Sequence, residues 1–473
     1  MKPWILTLPL IGLAGCSLAP DYQAPQPALP AQLPAFDQDD ASADAKDLET
    51  SQVWWTAFGD AQLNRWVERA LLENDNAEIA AARVREARAL LGLSTAELFP
   101  SLGGQGQATR QDSAAGLSQV DGPYNTYQLS GALSYELDLW GRLRNSRKAA
   151  REQLLSTTYG LESIRQALVA DTVTAYFNVI AARIQVGIGE ATVADRKESL
   201  RLQQLRFDNG AITELERQQA DADYAAALTR LPDLKSGLEM AENALLTLAG
   251  ADPEAFWTRA ELDKIGNELP STVSIDASVT PLALLQQRPD IRAAEADAQA
   301  ATYNIGVVRA QRWPTLSASA LLGTAALDID DLFTRDSRTW SVSGNLAGPI
   351  FDFGRTSNRI EASEAQQEQA LLNYEAVVKQ AFREVRENWR NYDFAQERVT
   401  AATQQAAAYD RTVELAQTRY DEGYTSFLEL LDSRRSQFDA QLSLTSARLT
   451  YLVEAVDLIK ALGGGPQILQ RDQ

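Results

Sequence analysis

Tyr127-Gln128-Leu129-Ser130-Gly131-Ala132-Leu133-Ser134-Tyr135-Glu136-Leu137-Asp138-Leu139 is the stretch that decides the fold. Tyr127, Leu129, Gly131, Leu133, Tyr135, Leu137 and Leu139 are apolar or small, while Gln128, Ser130, Ser134, Glu136 and Asp138 mostly fill the alternate positions. Successive side chains of a strand point to opposite faces, so the pattern predicts a strand with one greasy side and one wet side. A second such run reads Trp340, Val342, Gly344, Leu346, Gly348 and Ile350 against Ser341, Ser343 and Asn345. A weaker strand precedes each, roughly Leu102 to Arg110 and Thr315 to Leu322, joined by the polar loops Gln111 to Asn125 and Gly323 to Arg338. The chain thus offers two long hairpins, four strands in all.

The hairpins recur because the chain repeats itself. Phe99-Pro100-Ser101-Leu102 matches Trp313-Pro314-Thr315-Leu316, Leu139-Trp140-Gly141-Arg142 matches Asp352-Phe353-Gly354-Arg355, and Arg206-Phe207-Asp208-Asn209-Gly210 matches Arg419-Tyr420-Asp421-Glu422-Gly423. The offset is 214 positions in the first pair and 213 in the others. Arg142 to Arg206 and Arg355 to Arg419 are each 65 residues without a proline. In the second, Leu371, Tyr374, Val378, Phe382, Val385, Trp389 and Tyr392 recur in steps of three and four, one face of a helix. Such a helix reaches about 98 Å at 1.5 Å per residue. Gly210 and Gly423 end the rods, and the chain returns on a second helix, Thr213 to Leu248 or Ser426 to Leu462. Pro232 predicts a kink or break in the first return. Shorter helical patterns, Asn76 to Glu97 and Asp290 to Arg309, precede the strands.

The organisation expected is a leader over 1–15, a tether over 16–50, a first repeat over 51–250, a connecting segment over 251–281, a second repeat over 282–463 and a tail over 464–473. Within the repeats the hairpins occupy 100–140 and 314–353, the long helices 142–206 and 355–419, and the returns 213–249 and 426–462. Met1 and Lys2 precede an apolar run, Trp4 to Leu13, and then Leu13-Ala14-Gly15-Cys16. That is a secretory signal ending in the lipobox of a bacterial lipoprotein, with Cys16 acylated on sulfur as the mature N-terminus. The run is too short to span a bilayer as a helix, which takes about 20 residues, so the lipid is the anchor. Ser17 at the next position, rather than Asp, implies sorting to the outer membrane. Pro20, Pro25, Pro27, Pro30 and Pro34 make a stiff extended tether.

Among 473 residues there are 64 Asp and Glu against 44 Lys and Arg, one Cys, two Met and no His. Absent histidine removes the Ser-His-Asp triad, the His-Glu-x-x-His zinc site and the usual near-neutral proton shuttle. A net charge of −20 argues against nucleic-acid binding, which needs a basic surface. No cofactor or metal is implied, and the expectation is that the chain is not an enzyme.

A transmembrane strand needs about 9 to 11 residues, and the two clear strands fit that size. In hydrocarbon every backbone N–H and C=O must be paired, so four strands with open edges must close with copies of themselves. Two copies give eight strands and a barrel filled by its own side chains; three give twelve and a lumen. The residues alone leave both open, and a soluble four-stranded sheet resting on helices is the plain alternative.

The lipobox, Ala19-Pro20-Asp21-Tyr22, Trp54-Trp55-x-x-Phe58-x-Asp60, Ala81-Ala82-Arg83-Val84, Phe99-Pro100, Leu137-Asp138-Leu139-Trp140-Gly141, Arg288-Pro289-Asp290-Ile291 and the two Gly-tipped helical hairpins resemble the outer membrane factors, the TolC/OprM-like channels of drug-efflux systems. The resemblance covers essentially the whole mature chain in order. It implies a mainly α fold with a β-barrel part: a homotrimer whose 12-stranded outer-membrane barrel continues into a periplasmic α-helical barrel, girdled by an equatorial domain that includes 251–281. It also implies docking to a periplasmic adaptor and an inner-membrane transporter, often of the resistance-nodulation-division type, with drugs or other small compounds passing outward. Some relatives serve protein secretion instead.

The chemistry sits at the helical tips. Glu216 lies six residues after Gly210 and Glu429 six after Gly423, and Asp432 follows Glu429 by one helical turn on the same face. The counterpart of Asp432 is Gln219, so only the second hairpin carries the double acid. By resemblance Glu429 and Asp432 occupy acidic-ring positions inside a closed periplasmic iris, Glu216 a gate-bond position, and Tyr420 the tyrosine just before the tip. Thr425 stands where the family carries an arginine, which leaves the gate's bond pattern open. Three copies of each acid around an axis would repel one another. Arg206 and Arg419, one near each tip, are placed to contact adaptor or neighbour, or simply to favour the helix dipole. Two further classes fit parts of the chain: a coiled-coil lipoprotein spacing outer membrane from cell wall, which leaves the alternating strands unexplained, and a two-carboxylate hydrolase, for which no compact segment is evident.

Overall fold

The computed structural model describes residues 17–25, 53–112, 122–259, 262–270 and 285–464. Cys16, the leader, most of the tether, much of the connecting segment and the tail lie outside the described residues. The elements, in order, are α1 (Ala61–Glu73), α2 (Asp75–Ala96), β1 (Ser101–Gln111), β2 (Tyr124–Leu137), α3 (Arg142–Asp208), α4 (Glu214–Leu248), α5 (Pro289–Ala310), β3 (Thr315–Ala326), β4 (Arg338–Ala347), α6 (Arg355–Asp421) and α7 (Phe427–Ala461). The described residues form two compact units, one drawn from 17–25, 83–158 and 292–376, the other from 53–82, 159–291 and 377–464.

The first unit carries the strands as one antiparallel sheet in the order β1-β2-β3-β4. Its register decides what the faces are. Leu102 pairs with Leu133, Gly106 with Leu129 and Ala108 with Tyr127. Leu133 in turn pairs with Ala320, Gly131 with Leu322 and Leu137 with Leu316. Leu322 then pairs with Trp340, Ala320 with Val342 and Leu316 with Leu346. Because partners directly across a ladder share a face, one side of the sheet is apolar across its width. The opposite side carries Gln105, Gln107, Gln128, Ser130, Ser134, Ser319, Ser341 and Ser343. In the single chain the apolar side is bare: Trp340 is 76% and Val342 72% exposed.

β1 and β3 run further than the sequence reading, to Gln111 and Ala326, whereas β2 and β4 end early, at Leu137 and Ala347, because the acids that follow them cap helices. Asp138, expected in the strand, instead accepts from the N–H groups of Leu143 and Arg144 at 3.2 and 3.0 Å and starts α3. Asp352 does the same for α6, accepting from the Thr356 N–H at 2.9 Å. Trp140 and Trp313 stack at 4.9 Å where the hairpins meet the helices, and the Trp140 indole N–H donates to the Pro314 carbonyl at 2.8 Å. Just after the lipobox, the Ser17 hydroxyl donates to Asn145 Oδ1 at 3.0 Å.

In the second unit the core gathers Trp54, Trp55, Phe58, Leu63, Trp66, Tyr176, Phe177, Leu245, Leu246 and Val456. Asp60 explains the spacing of the Trp-Trp-x-x-Phe-x-Asp motif. It caps α1 through Gln62 and Leu63 N–H at 2.7 and 3.3 Å and accepts the hydroxyl of fully buried Tyr176 at 2.6 Å. The Arg288-Pro289-Asp290-Ile291 motif is a charge-linked corner. Arg288 holds Asp290 at 2.6 Å and Glu384 at 2.7 Å and donates to the Ala461 carbonyl at 3.1 Å, one of the orphan carbonyls ending α7.

Of the kink or break expected at Pro232, the break does not occur: α4 runs through it from Glu214 to Leu248. Pro232 and Leu228, whose carbonyl loses its usual donor, are both exposed, so water can satisfy the freed group.

Candidate functional site

The tips are built by two successive helix-ending turns. Gly210 has φ +68° and Gly423 φ +80°, the left-handed region where a side chain is strained. The Gly210 N–H donates to Phe207 O at 2.8 Å and the Ala211 N–H to Arg206 O at 2.9 Å. The second tip copies this, with the Gly423 N–H on Tyr420 O at 3.0 Å and the Tyr424 N–H on Arg419 O at 2.8 Å. These are paired six-to-one and five-to-two bonds that satisfy the last carbonyls of each long helix. They place Arg206 and Arg419 in the last turn, where a cation favours the helix dipole.

The acids behave differently at the two tips. Glu216 is closed into a capping box: its backbone N–H donates to Thr213 Oγ1 at 3.4 Å, and its carboxylate accepts from the Thr213 N–H at 2.9 Å. Within one chain its carboxylate is thus engaged at the start of its own helix. Glu429 lies 3.4 Å from Arg419 Nη1 and accepts the Thr425 hydroxyl. Thr425, at the position of the missing arginine, therefore holds Glu429 locally. Asp432 is exposed and makes no ion pair among the described residues.

Tyr420 joins the two hairpins. Its hydroxyl donates to buried Gln203 at 3.2 Å, its ring lies 5.3 Å from Phe427, and the Arg206 guanidinium sits 5.3 Å over the same ring. Arg206 also reaches Asp421 at 3.4 Å, but both side chains are about half exposed, so the pair contributes less than about 1 kcal/mol. Ala220, Ala416, Phe427, Leu430 and Leu431 form the small apolar core beneath.

One site escaped the sequence reading. About 20 Å behind the tips, at 1.5 Å per residue, Asp223 of α4 is buried between arginines from α3 and α7. Arg196 Nε is 2.8 Å from Asp223 Oδ2 as an ion-pair contact, and Arg435 Nε donates to Oδ1 at 3.0 Å. Arg434 alongside donates to Ser199 of α3 at 3.2 Å and Gln417 of α6 at 2.6 Å. Burial pulls the Arg196 and Arg434 guanidiniums below their ordinary range, with Asp223 opposing the shift in both. The cluster thus ties all four helices of the two hairpins. The available signal was Asp223 itself, three residues after Ala220 on the buried face of α4, where a charge needs a partner.

The family model described as outer membrane efflux protein matches residues 66–251 and 281–464. The chain belongs to this family. The two matched stretches take in most of the two repeats. SrpC, the solvent efflux pump outer membrane protein of Pseudomonas putida, is 32% identical over 474 residues, covering 98% of each chain. The cation efflux system protein CusC of Escherichia coli K12 is 30% identical over 455 residues, covering 96% of this chain and 97% of its own. The crystal structure of the Campylobacter jejuni CmeC outer membrane channel superposes with a TM-score of 0.89 at 26% identity, covering 97% of this chain and 96% of that one. This outer membrane efflux protein is therefore an outer-membrane channel of an efflux system, extending into the periplasm, and its four strands and long helices are the channel's parts.

Proposed function

We propose that the chain works as a lipid-anchored homotrimer, acylated at Cys16, whose three sheets close a 12-stranded barrel and whose helices carry drugs or other small compounds to it from the periplasm. The observation that carries this reading is the sheet: one face apolar across four strands, with unpaired edges on β1 and β4. Those edges cannot remain open in hydrocarbon, and three copies leave a lumen lined by the Gln and Ser side. No catalytic step belongs to this function.

The periplasmic entrance is assigned to the tips. Glu429 and Asp432 from three chains form its acidic rings, Tyr420 and Glu216 belong to its gate, and Gly210, Gly423, Arg206 and Arg419 present the turns that meet a periplasmic adaptor. The inner-membrane partner is a transporter, of the resistance-nodulation-division type, and residues 251–281 join an equatorial girdle. Support comes from the half-exposed state of Glu429, the exposed Asp432 and the rigid turns that present them.

The purified lipoprotein is expected to run as a heat-modifiable trimer and to give single-channel conductance in planar bilayers. A monomer in mild detergent, with no conductance, overturns the reading. A deletion strain should become sensitive to some members of a panel of dyes, detergents and antibiotics.

A further inference from the structure

We infer that each seam between neighbouring chains of the barrel holds a phosphate-binding site for the lipid leaflet at the loop end, made by Arg338 of one chain and Arg110 of the next. The inference rests on the closed trimeric barrel proposed above.

Register places both arginines on the apolar face. Arg110 follows Leu102, Gly104, Gly106 and Ala108 in alternation on β1, and Arg338 precedes Trp340, Val342, Gly344 and Leu346 on β4. Both are exposed, and neither makes an ion pair among the described residues. They are also on the two strands with open edges, at the ends of a sheet ordered β1-β2-β3-β4. A barrel that closes on copies brings β4 of one chain beside β1 of the next, antiparallel, with the loop ends together.

Depth agrees on the two strands. Leu102 and Leu346 mark the helix end of the apolar face, paired to Leu133 and Leu316. Each arginine lies eight residues further toward the loops, about 26 Å along the strand at 3.3 Å per residue, or about 20 Å of depth at a 40° tilt. That is close to the height of the apolar band of such barrels, about 25 Å. An arginine facing lipid costs about 2–4 kcal/mol at the bilayer midplane and about 0–1 near its edges, so both stand where the cost is least. The equivalent of Arg338 in the first repeat is Asn125, so the charge falls on the outer strand of that pair and not on β2. Guanidinium forks suit phosphate oxygens bidentately, and two forks from two chains can share one phosphorylated headgroup.

The test uses the full lipoprotein trimer in mild detergent, titrated with bis-phosphorylated lipid A and followed by native mass spectrometry. Wild type is expected to take up to three lipid A molecules per trimer. Arg110→Gln/Arg338→Gln should bind at least about tenfold more weakly, as expected for losing charge-assisted bonds, while keeping wild-type conductance. Arg110→Lys/Arg338→Lys should retain part of the affinity. Dephosphorylated lipid A should bind wild type as weakly as the Gln variant, and millimolar inorganic phosphate should not displace the lipid. A trimer that binds both forms of lipid A equally, or loses the lipid to free phosphate, overturns this site and leaves the channel reading intact. A monomer overturns both. Should the Gln variant fail to assemble, the comparison of the two lipid A forms on wild type decides.

Discussion

Asp223→Asn is the substitution that most directly probes how the tips are held. It removes the one carboxylate paired with Arg196 and Arg435 among the described residues and leaves Arg434 beside them. The Asp223 and Arg196 side chains are 5% and 8% exposed, so the loss is that of a buried pair, about 3–5 kcal/mol. Arg435 is half exposed at 53% and adds less than about 1 kcal/mol. At 1.36 kcal/mol per factor of ten, local opening should rise roughly 150- to 5,000-fold. Hydrogen exchange on the purified trimer should show this in peptides covering 192–230 and 427–440, with little change in α1 or the sheet. If the cluster also restrains the entrance, closed-state conductance in planar bilayers rises in parallel. The double variant Asp223→Asn/Arg196→Gln removes both buried charges and should recover at least half the lost protection. Exchange within threefold of wild type in Asp223→Asn, or no recovery in the double variant, refutes the buried-pair account.

Three further outcomes follow from the same contacts. Neutralising Glu429 and Asp432 together to Gln and Asn should raise closed-state conductance and weaken cation preference, read from reversal potentials in a salt gradient; unchanged selectivity rejects the ring assignment. Asp60→Ala removes an N-cap worth about 1 kcal/mol and orphans the buried Tyr176 hydroxyl at about 1–3 kcal/mol, so exchange across α1 should report about 2–4 kcal/mol. Adding Tyr176→Phe should return the orphan part, and strict additivity would contradict it. Burial raises the Asp457 carboxyl above its ordinary 3.8, with nearby Asp171 adding to the shift and Lys460 opposing it. The folded chain then holds that proton more tightly than the unfolded one, so stability falls as pH climbs from 3.8 through the raised value. Asp457→Asn should raise the thermal midpoint at pH 7 and lose that gain as pH drops below about 4, the ordinary carboxylate range.

The regular parts of the fold were legible because period alone fixes them. Alternation marked β2 and β4, and proline-free stretches marked α3 and α6, which extend two residues beyond Arg206 and Arg419 to Asp208 and Asp421. α1 was missed: its 13 residues sit directly before α2, separated only by Asn74, and a capping Asp60 is a weak signal without the Tyr176 it also binds. At Pro232 the helix does not break, because an exposed proline in a long helix frees one carbonyl that water can reach. Of the site, spacing found the tip residues but not their partners. That Glu216 closes on Thr213 while Glu429 reaches Arg419 and Thr425 depends on side-chain reach across a turn. The Asp223 cluster draws on positions more than 200 residues apart, Arg196 against Arg434 and Arg435, and no local pattern joins them.

The two repeats share a scaffold and part company in the first turn of the return helix. Both tips use the same glycine turn with the same pair of backbone bonds, so the presentation of the next helix is common to both. What differs is the first turn of that helix. In α4 the acid six residues past the glycine is consumed by the capping box, with Thr213 accepting and donating. In α7 the cap residue Ser426 makes no side-chain bond, and the equivalent acid Glu429 is left on the surface with Asp432 one turn further on. A capping box is worth about 1 kcal/mol to the helix that has it. The second hairpin forgoes that contribution and leaves Glu429 to Arg419 and Thr425, with Asp432 exposed one turn further on. Exchanging only Thr425-Ser426 for the Ile212-Thr213 pair removes the hydroxyl that holds Glu429, supplies the threonine of the box and keeps buried Phe427, so it should firm the start of α7 in hydrogen exchange while lowering cation preference, two changes that a purely structural role for Glu429 would not couple.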